Sequence, residues 1–210
     1  MLAVEKHMVG GPNGSVLDVY QRHGAAWARQ RSDRLVECRW LDCFCTLLPA
    51  GAAILDIGCG CGVPIARELV RRGFDVTGID GAPAMVALFE RNLPGVSVQC
   101  ADMRELDLHR RFAGLIAWDS LFHLSPRDQR SMFPRFQAHA APGAALMFTS
   151  GTAEGDSIGE LEGEPLYHAS LDTREYRGLL EAAGFVVVAH IVEDADCGRH
   201  TIWLAQKGRE

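Results

Sequence analysis

Apolar positions change their period once along the chain. From Val16 to Leu48 they recur at helical spacing, and in the second half Leu35, Val36, Trp40, Leu41, Phe44, Leu47 and Leu48 share one stripe. That pattern predicts helices, the last ended by Pro49. Met1–Gly14, ahead of them, is polar and glycine-bearing, with no clear period, and reads as a loose start. From Ala53 short β-rich runs alternate with helical stretches, which builds a mostly parallel sheet with helices on both faces. The spacing predicts strands at Ala53–Ile57, Asp75–Ile79, Ser97–Cys100, Gly114–Trp118 and Ala145–Thr149. Helices are predicted at Pro64–Arg72, Pro83–Asn92 and Arg127–Ala140, with a short turn after Met103. Pro64, Pro83 and Pro126 stand where helices begin, a place where the missing amide costs nothing.

Gly151–Ala169 is rich in glycine and glutamate without a sustained period, and reads as a lid-like excursion over the sheet edge. Asp172 then caps a helix through Ala183, and Gly184 stops it. Strands at Phe185–Val192 and Arg199–Ala205 lie too close together for a parallel crossover and must run antiparallel. The expected fold is α/β: a Rossmann-like, seven-stranded, mostly parallel sheet with an antiparallel C-terminal hairpin and an N-terminal helical cap. One domain is expected over 1–210, with the cap at 1–49, the core at 50–210 and the lid at 151–171.

With 210 residues, 48% hydrophobic and 23% charged, the chain has the profile of one soluble globular domain. A formal charge of −6 with scattered Lys and Arg offers a phosphate backbone little attraction, so no nucleic-acid partner is expected. The longest apolar run, near Ala140–Met147, is far short of a membrane span, and no leader-like segment precedes it; a cytoplasmic protein, monomer or homodimer, is expected. The seven cysteines form no C-x-x-C pair, and their apolar neighbours point to buried free thiols, with no metal site.

The chemistry-bearing signal is Leu55-Asp56-Ile57-Gly58-Cys59-Gly60-Cys61-Gly62, a strand running into three alternate glycines and then a helix. Such a turn lets a ligand touch backbone, and the helix amides beyond it favour a polar or anionic group. Asp80 ends the next apolar run and is followed by Gly81; its carboxylate can accept both hydroxyls of a ribose, and an N-cap role for the Pro83 helix is compatible with that.

These residues resemble the class I S-adenosylmethionine (SAM)-dependent methyltransferases, whose first motif is an acid followed by three alternate glycines, matched at Asp56, Gly58, Gly60 and Gly62. The resemblance runs from about Pro49 to Lys207. It implies SAM as cofactor, Asp80 on the ribose, Asp102 facing the adenine amino group, and Met103 offering its amide to the ring. Ala82 and Met85 would lie against adenine. Ala101–Arg104, Ala117–Leu124 and Leu166–Leu171 are similar to a group of small bacterial methyltransferases, from which no substrate carries over.

The fourth strand ends in Trp118-Asp119-Ser120, with Phe122 and His123 beyond, where ligands bind in such sheets. His123 is the first choice for a catalytic base, since histidine is partly neutral at working pH; a core histidine bonded to backbone is the competing reading. Asp119 meets either the amino group of SAM or the acceptor, and Trp118 walls the pocket. Phe122, Tyr167 and His168 either close over the acceptor or simply pack. Tyr20, Trp27 and Arg31 either cover the methionine end of the cofactor or form an amphipathic helix face. The function expected is methyl transfer to a small-molecule acceptor. A SAM-binding sensor or scaffold without turnover is the alternative, and an NAD(P)-dependent oxidoreductase a weaker one, since its fingerprint spaces the glycines as G-x-G-x-x-G.

Overall fold

The central apolar runs are buried on both faces, the condition under which strands pair in parallel with helices on either side. In the computed structural model, which describes residues 15–31 and 34–209, these runs form β1 (Ala53–Ile57), β2 (Asp75–Asp80), β3 (Ser97–Cys100), β4 (Phe112–Ala117) and β5 (Ala140–Ser150). A separate hairpin, β6 (Gly155–Leu161) and β7 (Glu164–Ser170), follows, and then β8 (Phe185–Asp194) and β9 (His200–Lys207). The main sheet has seven strands in the order β3-β2-β1-β4-β5-β9-β8, with only β8 and β9 antiparallel to their neighbours. The expected fold class is therefore the observed one.

Helices α1 (Val16–Gln30), α2 (Cys38–Thr46), α3 (Ile65–Arg71), α4 (Pro83–Asn92), α5 (Pro126–His139) and α6 (Thr173–Ala182) complete the chain. One face of the sheet packs Met132, Phe133 and Phe136 of α5 and Leu180 of α6 against Phe112, Phe148 and Trp203. The other packs Trp40, Leu41 and Phe44 of α2, Leu69 of α3 and Phe89 of α4 against Ile54, Ile116 and Met147. Each layer buries the apolar stripe that its helix sequence displays.

Several boundaries differ from the sequence reading. β4 and β5 begin earlier, at Phe112 and Ala140, because backbone pairing continues through an irregularity between Phe112 and Gly114 that side-chain pattern does not display. Trp118 lies just past the end of β4, and α3 starts one residue after Pro64. The lid-like excursion is a regular two-stranded hairpin. Most of β6 is exposed, so no apolar face was needed and no period could appear; Leu161 and Leu166 form the hairpin's buried apolar contact with Val19 of α1. The loose start expected over 1–14 lies outside the described residues.

Helix α1 begins with a capping box between Ser15 and Asp18. It bridges α4 and the hairpin. Gln21 Oε1 accepts from the Ala84 amide in the first turn of α4 at 2.8 Å, while Arg22 and His23 pair with Glu164 and Gln30 with Glu162. The other end of the hairpin is tied down by Gln129, which is fully buried. Its amide donates to the carbonyls of Leu124 and Ala169, both at 2.9 Å, and its Oε1 accepts from the Tyr176 hydroxyl at 2.5 Å.

Gln129→Ala should destabilise the protein by about 3 kcal/mol, because the Leu124 and Ala169 carbonyls lose their amide donor and the Tyr176 hydroxyl its 2.5 Å acceptor. Urea unfolding checks this, and a loss under about 1 kcal/mol would show that water replaces the amide.

Candidate functional site

The three alternate glycines all adopt left-handed backbone, with φ of 72° at Gly58, 55° at Gly60 and 76° at Gly62. The reason for glycine differs between them. A Cβ at Gly62 would come within 2.7 Å of Phe89 and 2.8 Å of Leu93, and one at Gly58 within 2.4 Å of Ser120. Those two glycines are demanded by protein packing, not only by ligand approach as the sequence reading had it. At Gly60 the nearest atoms, of Trp27 at 3.5 Å and Met85 at 3.6 Å, are at ordinary contact distance, so a Cβ there would meet no clash and packing alone does not demand glycine. The turn is held by the Gly58 and Cys59 amides donating to the Ile79 carbonyl and by Gly60 donating to Asp80 Oδ2 at 2.9 Å.

Below α1 and above this turn is a cavity of about 480 Å³ at the carboxyl ends of the parallel strands. Of the residues expected at the site, it is bordered by Tyr20, Trp27, Arg31, Asp56, Gly58, Gly60, Gly62, Asp80, Gly81, Met85, Asp102, Met103, Trp118, Asp119, His123 and Tyr167. Phe122 and His168 do not border it. Their rings stack on each other at 5.3 Å and on His123 at 4.8 Å each, so they pack behind the wall.

The cavity is acidic. Asp56 is almost fully buried; burial, and then the nearby charge of Asp80, push its carboxyl up to about 7. Burial also raises Asp80, opposed by the Gly60 and Ala82 amides that donate to its two oxygens, each at 2.9 Å. It is at once a clamp on the glycine turn and an acceptor with lone pairs to spare. Both bordering arginines are engaged elsewhere: Arg31 with buried Glu37, Arg104 with Asp102. At Asp102 burial raises the carboxyl, and the Arg104 hydrogen bonds outweigh it and lower it. Trp118, 5% exposed, leaves its Nε1 donor without a partner among the described residues.

His123 sits where α1, the hairpin and the 3-10 turn Leu121–His123 meet. Its Nδ1 faces the Tyr167 carbonyl at 2.9 Å and so carries the proton; Nε2 accepts from the Tyr20 hydroxyl at 3.0 Å. Burial lowers its pKa to about 4, so the ring is neutral. Asp119, in left-handed backbone at φ 49°, donates its amide to Thr149 Oγ1 at 2.8 Å and takes His200 as carboxylate partner at 3.1 Å. The sequence reading missed both partners. Thr149 and His200 sit on strands distant in sequence and carry no local motif.

Asp56→Asn tests the buried charge. A carboxyl raised in the folded state contributes stability that is present at low pH and lost as pH climbs through about 7. The stability of wild type relative to Asp56→Asn, without ligand, should fall from about pH 5 to about pH 8, by about 1 kcal/mol or more in thermal or urea unfolding. A pH-independent difference would mean that Asp56 is solvated.

Residues 54–143 match the family model described as "Methyltransferase domain". The chain is 30% identical over 101 residues to the dTDP-3-amino-3,6-dideoxy-alpha-D-glucopyranose N,N-dimethyltransferase of Streptomyces fradiae, a match that covers 47% of this chain and 39% of that protein. The chain thus spans well under half the length of this curated relative. Among solved structures, an amino pentose methyltransferase from Micromonospora echinaspora with SAM bound superposes with a TM-score of 0.69 at 22% identity, over 89% of this chain and 96% of that one. A sugar N-methyltransferase from Streptoalloteichus sp. superposes with a TM-score of 0.69 at 20% identity, over 99% of both. Residues 54–143 thus match a methyltransferase domain, and the chain has the fold of solved SAM-dependent methyltransferases.

Proposed function

We propose that the chain transfers a methyl group from SAM to a small-molecule acceptor. The observation that carries this reading is the cavity itself: a backbone cradle of glycines beside two buried carboxylates, Asp56 and Asp80, that no bordering arginine neutralises. SAM, with a sulfonium and an ammonium against one carboxylate, is a net cation and matches that charge. The unpartnered Trp118 Nε1 is a further buried donor for a ligand to use.

Within this reading Asp80 accepts the ribose hydroxyls, Met85 lies against adenine, and Asp102 with the Met103 amide meets its edge; Ala82, expected beside adenine from the sequence, is buried outside the cavity lining. Asp102 does so while anchored by Arg104. Tyr20, Trp27 and Arg31 close over the methionine end and exclude water, which strengthens each polar contact. When bound, SAM supplies an electrophilic methyl carbon on a positively charged sulfur. The protein then has to align the acceptor, and to take its proton where it carries one. That proton passes toward His123 through Tyr20, whose hydroxyl borders the cavity 3.0 Å from the unprotonated Nε2; with its pKa held at about 4 by burial, the ring is a weak base that relays the proton and does not hold it. Phe122 and His168 support His123 without touching the acceptor.

The similarity to sugar N-methyltransferases makes amino sugar nucleotides the first acceptors to try. No helix among the described residues is long and apolar enough to cross a membrane. The reading takes a cytoplasmic enzyme, monomer or homodimer, with no nucleic-acid partner.

Two measurements test it. Asp80→Ala should weaken SAM binding about tenfold or more by calorimetry, as expected for losing hydrogen bonds to a buried ligand together with the clamp on Gly60; unchanged affinity would remove Asp80 from the site. Amino sugar nucleotides and wider metabolite pools should yield S-adenosylhomocysteine from SAM. Tight SAM binding with no turnover in any pool would favour a sensor.

A further inference from the structure

The strand order divides the cavity into two halves. Asp80, Asp56 and Asp102 stand at the carboxyl ends of β2, β1 and β3, whereas Asp119, Thr149 and His200 stand at β4, β5 and β9. β9 runs antiparallel to β5, with Thr201 opposite Ser150, so its first residue, His200, reaches the same edge as the last residues of β4 and β5. Of the second group Asp119 borders the cavity, beside β1 and its Asp56, while Thr149 and His200 are not in the cavity lining and reach it through Asp119.

His200 is not a bystander in that group. Its Nδ1 lies 2.7 Å from the Cys197 carbonyl oxygen, and its Nε2 lies 3.1 Å from Asp119 Oδ2 and 3.0 Å from Oδ1. Carbonyl and carboxylate oxygens only accept, so both contacts are made only when both ring nitrogens carry protons. Burial works against the charged ring. The Asp119 carboxylate, the Cys197 carbonyl and the charge of Glu37 outweigh burial and raise its pKa. The contrast with His123 is sharp, because one of its two partners is a hydroxyl that can donate, and that ring stays neutral. The His200 ring is further fixed by Trp118, 5.2 Å away between centroids. Asp119 holds a left-handed conformation that non-glycine residues keep only when their surroundings impose it. The surroundings here are Thr149 on its amide and His200 on its carboxylate.

We propose that His200, as an imidazolium, is a positioning residue for the methyl acceptor: it pins Asp119 so that the carboxylate accepts an N–H or O–H hydrogen bond from the acceptor and keeps the attacking atom in line with the methyl group. The inference rests on the methyltransferase reading and adds to it the class of group recognised, a hydrogen-bond donor on the attacking atom. Asp119 is the residue that touches the acceptor. His200 acts through it.

The test needs no identified acceptor. Sinefungin carries an amine where SAM carries its methyl sulfonium, so it projects a cationic N–H donor toward Asp119, whereas S-adenosylhomocysteine projects nothing there. Wild type should bind sinefungin more tightly by calorimetry. In His200→Gln and in Asp119→Asn that preference should fall about tenfold, the loss of one charge-assisted hydrogen bond, while S-adenosylhomocysteine affinity stays within about twofold. An unchanged preference in His200→Gln overturns the proposal. A larger preference also overturns it, since the ring would then only neutralise a carboxylate already in place. A large loss of S-adenosylhomocysteine affinity in that variant overturns it by moving the pair to the cofactor half. Nitrogen NMR of the wild-type imidazole gives an answer that does not depend on a variant folding: both ring nitrogens should be protonated at neutral pH, and a neutral ring overturns the assignment. Wild type that binds neither compound defeats the methyltransferase reading itself, an outcome distinct from all of these.

Discussion

The site depends on buried carboxylate charge that the protein leaves uncompensated. Asp56 and Asp80 lie at the ends of adjacent parallel strands, where burial disfavours their ionised forms and the charge of Asp80 further raises the cost of ionising Asp56. A fold tolerates such an arrangement when a ligand completes it. The strain is local: Asp80 recovers part of its loss through the amides of Gly60 and Ala82, and in doing so ties the glycine turn to the start of α4. One carboxylate thus shapes the cradle and sets its charge.

The roof over that charge is assembled from parts far apart in sequence. α1 reaches α4 through Gln21 and the β6–β7 hairpin through Arg22, His23 and Gln30, and Tyr20 closes the seam by donating to His123. Because His123 also donates to the Tyr167 backbone, one neutral ring joins the cap, the hairpin and the turn after β4. Its neutrality follows from burial, and its hydrogen bonds from a hydroxyl on one side and a carbonyl on the other.

Two histidines near the cavity face opposite demands: burial lowers the pKa of His123, and the Asp119 carboxylate and Cys197 carbonyl raise that of His200 against burial. Their difference owes nothing to sequence neighbourhood and everything to the donor and acceptor character of what they face. It divides the labour in the proposed reaction: the neutral ring can relay a proton, and the charged ring can hold a carboxylate still.

The order of elements, the parallel core and the antiparallel ending were legible in the chain because burial on both faces, glycine at helix ends and the short β8–β9 connection are local facts. So were Asp56, Asp80 and the glycine turn, since a strand running into alternate glycines is a contiguous pattern. The hairpin was not legible, because its exposed strands need no apolar period. Neither was the cause of each glycine: only the tertiary structure puts Phe89 and Leu93 against Gly62, Ser120 against Gly58, and Trp27 and Met85 no nearer than ordinary contact to Gly60. Phe122 and His168, expected near the acceptor, lie outside the cavity lining with their rings against His123, a placement that only the tertiary structure gives. His200 and Thr149 were invisible for the opposite reason: strand register, not sequence distance, brings β5 and β9 to the end of β4, and register is decided by the packing of the whole sheet.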